Sequence, residues 1–312
     1  MSDLRFFYVP NALEQCQRRD QIPVAALGNE SAHALKVLRM REGDPINIID
    51  GKGHLIKAVL GGAPCVETQT NPHVESRVPH KDTKVSRTES RKSARNGRNS
   101  SFTDANKGTF FIESVEEKTP LWPRSIHLCV APTKNMERIE WLVEKAVEIG
   151  VDSISFVKCR YSERSSVNLE RLNRIAAAAM TQSHKYFMPQ INDIVPFTEI
   201  ISSFCESNPS STRFIAHCYD DIPRTFLLDA STPAEKVTES ALLHDASQSA
   251  APKSDCPLLV CVGPEGDFSK EEVELALTNG FLSVSLGESR LRTETAALVS
   301  VHLLHLFTSF HR

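Results

Sequence analysis

Two stretches decide how this chain reads: LLVCVGPEGDFS, Leu258–Ser269, and SLGESRLRTETAAL, Ser285–Leu298. Leu258–Val262 is a short apolar run bounded by a turn signal, the pattern of a strand buried on both faces. Gly263-Pro264-Glu265-Gly266 ends it, and Ser269 with Glu272 three residues on forms a capping box that opens a helix. Leu282–Leu286 repeats the pattern. Gly287 ends that strand, and a helix is expected from about Thr295 to Phe310. In sheets built this way ligands bind beyond the carboxyl ends of the strands, where glycine lets backbone approach a bound molecule. The first loop can also be read as an ordinary βα turn. In the second, Thr293 or Thr295 could simply cap the helix, with the charges in solvent. That reading accounts for the threonines but not for Arg290, Arg292 and Glu294 crowded into five residues.

The same alternation extends upstream. Strands are expected at Ile126–Ala131, Ser153–Val157 and Arg213–His217. A helix from about Met136 to Ile149 carries Ile139, Leu142, Val143, Ala146 and Ile149 along one side, and Gly150 is placed to stop it. Another covers Leu169 to about Lys185. Strand–helix alternation implies an α/β domain with a mainly parallel sheet, placed at 124–312 after a linker marked by Pro120 and Pro123. Residues 1–118 read as a small β-rich domain. Its strands are Leu4–Val9, Pro45–Asp50, His54–Leu60 and Thr109–Val115; Gly51-Lys52-Gly53 makes a hairpin, and Asn29 caps a helix from Glu30 to about Met40. Two polar stretches poor in large apolar residues, about 62–108 and 229–256, interrupt the domains. They are expected to be disordered or flexible insertions, because they offer too little apolar surface to offset the entropy of ordering. The first carries Arg87, Arg91, Lys92, Arg95 and Arg98, a solvated run or a nonspecific attraction for RNA.

Composition limits the alternatives. At 312 residues, 40% hydrophobic and 24% charged, the chain can bury two cores. A net charge of −3 argues against a uniformly basic binder but leaves room for a local basic face. The eight cysteines form no CxxC pair and no cluster with histidine, so reduced thiols in a cytoplasmic protein are expected, with no metal. His302 and His305 share a face of the last helix without a third ligand in view. No apolar run is long enough to span a bilayer, and the N-terminus lacks the pattern of a signal peptide.

The two loops resemble the cofactor-binding segments of the SPOUT methyltransferases. The chain as a whole is similar to the family that methylates N3 of a uridine in small-subunit (16S) ribosomal RNA. Four blocks carry the likeness in order: HALKVLRMREGDPINIIDGKG (His33–Gly53), KNMERIEWLVEKAVEIGVDSISFVKCRYSERS (Lys134–Ser165), GPEGDFS and LRTETAAL. The resemblance implies a trefoil-knotted α/β domain preceded by a PUA-like barrel that docks RNA. It also implies a homodimer, S-adenosylmethionine as cofactor, and 16S rRNA within the small ribosomal subunit as partner. Gly263, Pro264, Glu265, Gly266, Leu286, Gly287, Leu291, Thr293 and Thr295 are the expected cofactor-binding positions.

Arg292 is expected to stabilise the uracil anion. Glu294 either accepts a proton or fixes Arg292 through a charge-assisted pair. Glu265 has a structural reading as well, turning back onto loop amides. Arg5, Arg39 and Arg164 are the candidate RNA contacts. Lys185 stands where many relatives carry an arginine, which keeps the charge and loses the bidentate geometry. Two other readings stay open: a non-catalytic RNA-binding or ribosome-assembly protein, and the same chemistry on a different RNA.

Overall fold

The computed structural model describes residues 6–16, 20–28, 40–61, 108–230 and 254–310. Arg5, Arg39, most of the helix expected from Glu30 to Met40 and most of both expected insertions therefore lie outside the described residues.

The first sheet has five strands: β1 (Phe6–Tyr8), β2 (Gln21–Pro23), β3 (Pro45–Ile49), β4 (His54–Gly61) and β5 (Thr109–Glu117), in the order β1-β3-β4-β5-β2. β1 joins β3 in parallel, and the other pairings are antiparallel. The β3–β4 turn is tied by buried Asp50, whose Oδ1 accepts the amides of Lys52 and His54. β4 and β5 pair so that Gly61 faces Thr109, which makes the residues on either side of 62–108 direct neighbours. Phe7, Ile22, Ile46, Ile48, Ile56, Leu60 and Phe110 form the core of this sheet.

The second sheet contains β6 (Arg124–Val130), β7 (Ser153–Lys158), β8 (Gln190–Pro196), β9 (Thr212–Ala216), β10 (Thr225–Phe226), β11 (Ser254–Val262) and β12 (Leu282–Ser285). Their order is β10-β12-β9-β11-β6-β7-β8, with every pairing parallel. Helices cover both faces: α1 (Met136–Ile149), α2 (Leu169–Gln182) and α6 (Thr293–Phe310) on one, α3 (Phe197–Ser207) and α5 (Lys270–Thr278) on the other. A short α4 spans Leu227–Ala230. Central strands therefore send alternate side chains into two cores. In β11, Leu258, Val260 and Val262 join one, and Leu259 and Cys261 the other. This is the physical origin of the unbroken apolar run in the sequence.

Several boundaries differ from expectation. α1 covers the expected span, with Asn135 accepting the Glu137 amide as its N-cap. α2 ends at Gln182, three residues early, because His184 adopts a left-handed φ of 53°. α6 begins at Thr293 rather than Thr295, which puts Glu294 in its first turn, where the helix dipole favours a carboxylate. β8 and α3 had no counterpart among the expected elements. The residues after α2 meet the first sheet: Gly53 donates to the Tyr186 carbonyl, Met188 donates to that of Gly51, and the Phe6 and His184 rings stack at 4.3 Å. Lys185 turns inward, its Nζ donating to the Glu148 carbonyl, and burial pushes its pKa down.

Candidate functional site

β9, β11 and β12 lie side by side, and the loops that follow them close around a cavity of about 710 Å³. From the β11 loop come Gly263, Pro264, Glu265 and Asp267. The β12 loop contributes Leu286, Gly287, Leu291 and Arg292, and the first turn of α6 adds Thr293 and Glu294. Two of the expected cofactor positions stand apart. Gly266 is off the cavity wall and against Tyr161, and Thr295 lines an adjoining hollow instead. The residues after β9, His217, Cys218, Asp220 and Arg224, also line the cavity and were not anticipated. Their strand was recognisable, but nothing local in the sequence places β9 between β11 and β12.

The β11 loop is held by its own polar groups. Asp267, at a left-handed φ of 68°, accepts the Cys218 amide at 2.7 Å on one oxygen and the Phe268 amide at 2.8 Å on the other. Tyr219 donates its hydroxyl to the Phe268 carbonyl. Ser269 and Glu272 complete the expected capping box. Glu265 does bind an amide, but across the sheet edge: it accepts from Lys134 at 3.1 Å, in the loop after β6. Arg164 takes the other side of the same residue, donating to the Lys134 carbonyl at 2.7 and 3.2 Å. Lys134 is thus fixed through both backbone groups, one residue before the cap of α1. That helix brings Arg138 into the cavity.

Beneath the β12 loop, buried His217 joins two strands. Its Nδ1 accepts the Tyr219 amide, so Nε2 carries the proton and donates to Ser283 Oγ at 2.7 Å. Burial holds the His217 pKa below its usual value, which keeps the ring neutral near neutral pH. The Cys218 thiol is pushed up, by burial first and by Asp267 next.

Glu294 is buried, with Oε1 3.5 Å from Arg138 Nη1, while Oε2 has no hydrogen-bond partner among the described residues. The arginine beside Glu294 is therefore Arg138 and not Arg292. Arg292 lines the same cavity as Glu294 without forming an ion pair with it. Arg292 is exposed on the cavity rim, and its side chain makes no hydrogen bond or ion pair within the described residues. Among those residues no group of three or more His, Cys, Asp or Glu side chains is arranged to hold a metal ion.

A family model described as an RNA methyltransferase domain matches residues 120–305, and one described as an RNA methyltransferase PUA domain matches residues 28–64. The ribosomal RNA small subunit methyltransferase E of Aquifex aeolicus is 30% identical over 204 residues, covering 63% of this chain and 74% of that protein. The chain belongs to the ribosomal RNA small subunit methyltransferase E family. A crystal structure of a probable rRNA-methyltransferase from Porphyromonas gingivalis matches with a TM-score of 0.68 at 31% identity, over 99% of this chain and 100% of that one. The Neisseria gonorrhoeae ribosomal RNA small subunit methyltransferase E, solved bound to S-adenosyl methionine, shares the fold with a TM-score of 0.62 at 21% identity over 97% of each chain.

The family's fold is the knotted SPOUT methyltransferase domain preceded by a PUA-like sheet, and it explains the strand order found here. β11 enters the sheet between β6 and β9, after the chain has already built both flanks. α6 then crosses back from β12 to pack on α1, β6 and β11, and α4 contacts both β12 and α6 at that crossing.

Proposed function

We propose that this chain transfers a methyl group from S-adenosylmethionine to N3 of a specific uridine in 16S ribosomal RNA, in the context of the small subunit. The observation that carries the reading is the convergence of the GPEG and LRTE loops on one cavity at the carboxyl edge of the parallel sheet. Its walls fit the cofactor. Val262, Leu286, Leu291 and Ala296 offer an apolar face for a flat purine, alongside loop backbone for polar contacts. Gly287 has a φ of 116°, and a Cβ there would meet nothing within 4 Å, so glycine is required by the backbone and not by crowding. When bound, S-adenosylmethionine supplies an electrophilic methyl group on a sulfonium.

The chain's own residues must then deal with charge on the base. Loss of the N3 proton leaves a negative charge spread over the flanking carbonyls, and the unpaired guanidinium of Arg292 at the rim is placed to stabilise it. Among the wall carboxylates, Glu265 and Asp267 already accept backbone amides, Asp220 pairs with Arg224, and Glu288 is exposed to solvent. Glu294 is the buried carboxylate with an open oxygen, and we assign it the N3 proton. Arg164 has its guanidinium engaged on the Lys134 carbonyl and is only half-buried, so RNA contact there comes with a loop-holding role. The same reading carries a homodimer, a cytoplasmic setting, a domain division at 1–118 and 124–312, and RNA docking by Arg5 and Arg39.

Unmodified small subunits incubated with the protein and labelled S-adenosylmethionine, then digested to nucleosides, test the proposal. Label in N3-methyluridine at one position is the expected result. Label in another nucleoside would overturn the base assignment. Absence of any heat of cofactor binding by calorimetry would favour a non-catalytic assembly protein.

A further inference from the structure

We infer that the hollow adjoining the cofactor cavity, between α1 and the start of α6, seats the target base, with Trp141 as its stacking platform. The inference rests on the methylation reading above and adds to it the place where the substrate binds. The hollow measures about 440 Å³ and shares Arg138, Arg292 and Glu294 with the larger cavity. A ring seated there borders whatever the larger cavity holds, which a methyl transfer between two bound partners requires.

Trp141 is the second argument. It lies three and four residues after Arg138 and Glu137, on the face of α1 away from the buried Ile139, Leu142, Val143 and Ala146, and it is a large aromatic ring left 46% exposed there. Trp122, the chain's other tryptophan, is buried and donates its indole N–H to Asp152, an arrangement with an evident structural purpose. An indole left open beside two arginines suits a splayed-out base, with stacking on the ring and the cations toward the adjacent phosphates.

The third argument is Glu294. Its Oε2 is buried without a donor, a costly arrangement that an incoming N–H can relieve after a small rotation of the carboxylate. Among the standard RNA bases, uracil offers an imide N–H between two carbonyls. That pattern matches an acceptor (Glu294) flanked by cations (Arg138 and Arg292).

Trp141→Ala and Trp141→Phe, made in the full chain, test this with purified unmodified small subunits. With Trp141→Ala, kcat/KM for subunits should fall roughly 10- to 100-fold, as loss of one base–aromatic stack implies. S-adenosylmethionine affinity should stay within about twofold and the solution mass should not change, since an exposed side chain contributes little to the core. Trp141→Phe should recover most of the rate, and the quenching of tryptophan fluorescence expected when RNA binds the wild type should be lost in it. Wild-type turnover by Trp141→Ala would overturn the inference. So would a loss that tracks with weakened cofactor binding or a changed mass, because the hollow would then be a structural or subunit contact. If the wild-type protein itself leaves small subunits unmethylated, the methylation reading has failed, and this inference falls with it before any variant is compared.

Discussion

The two loops that build the cavity solve opposite problems. In the loop after β11, Glu265, Asp267 and Ser269 each bond to a backbone amide or cap, so its shape is fixed before any ligand arrives. In the loop after β12, the side chains of Glu288, Ser289, Arg290 and Arg292 make no hydrogen bond or ion pair within the described residues. The first loop holds geometry. The second presents charge that is not yet committed, which is where binding and chemistry are expected to be concentrated. Mutations in the first should therefore register as stability, and mutations in the second as rate.

The largest effect is expected at Arg292. Arg292→Ala should lower the single-turnover methylation rate by at least ~10²-fold, in line with removing one donor from a developing anion. Its melting temperature should match the wild type, because an exposed guanidinium without partners supports nothing else. Near-normal turnover would remove Arg292 from the mechanism. Asp267→Ala is the complementary test. It strands the Cys218 and Phe268 amides and places alanine at a left-handed φ, so urea unfolding should show a loss of about 2–3 kcal/mol. Asp267→Asn tolerates that φ and keeps one acceptor, and should lose less. If the alanine variant is as stable as the wild type but catalytically dead, the division between a holding loop and a working loop is wrong.

How much of this was legible in the sequence follows the range of the interactions. The span of α1 could be read because its apolar stripe and Gly150 are local to it. The capping box at Ser269 and Glu272 was equally local. The insertion of β11 between β6 and β9 was not readable from the residues alone, since parallel strands buried on both faces share one composition and carry no label for their neighbours. β8 is a strand at the end of the sheet with Asn192 and Asp193 in its middle, too polar to stand out. Pairing with Arg292 was one of two readings left open for Glu294, and the ion pair it makes is with Arg138 on a distant element.

A smaller effect is expected outside both loops. Because Gly61 faces Thr109 in the β4–β5 pairing, replacing residues 64–107 by a short turn should leave the first sheet intact. Shortening the connection reduces the closure entropy, a gain of at most about 2 kcal/mol. Cofactor affinity and turnover at moderate salt should be unchanged, because the described residues that line the cavity all come from the second sheet and its helices. An insoluble product would show that those residues belong to the fold.

The smallest effect concerns what lies beneath the working loop. His217 ties β9 to β12 through Ser283, and burial holds its folded-state pKa below the usual 6.5. As pH falls through 6.5 the unfolded chain takes up the proton first, while the folded ring stays neutral. The native state therefore binds fewer protons, and stability drops with falling pH until the folded ring is protonated as well. The His217 contribution is fully present above pH 6.5 and declines below it, a window separate from that of Glu116, whose two lysine partners hold its carboxyl at about 2. His305 shifts in the same direction, by burial first, and supplies a background. Urea unfolding between pH 7.5 and 5 should then show a steeper loss for the wild type than for His217→Gln, which cannot titrate. Equal slopes would mean that the uncommitted charges of the second loop do not rest on a neutral histidine, and that the contrast between the two loops does not extend to the strands beneath them.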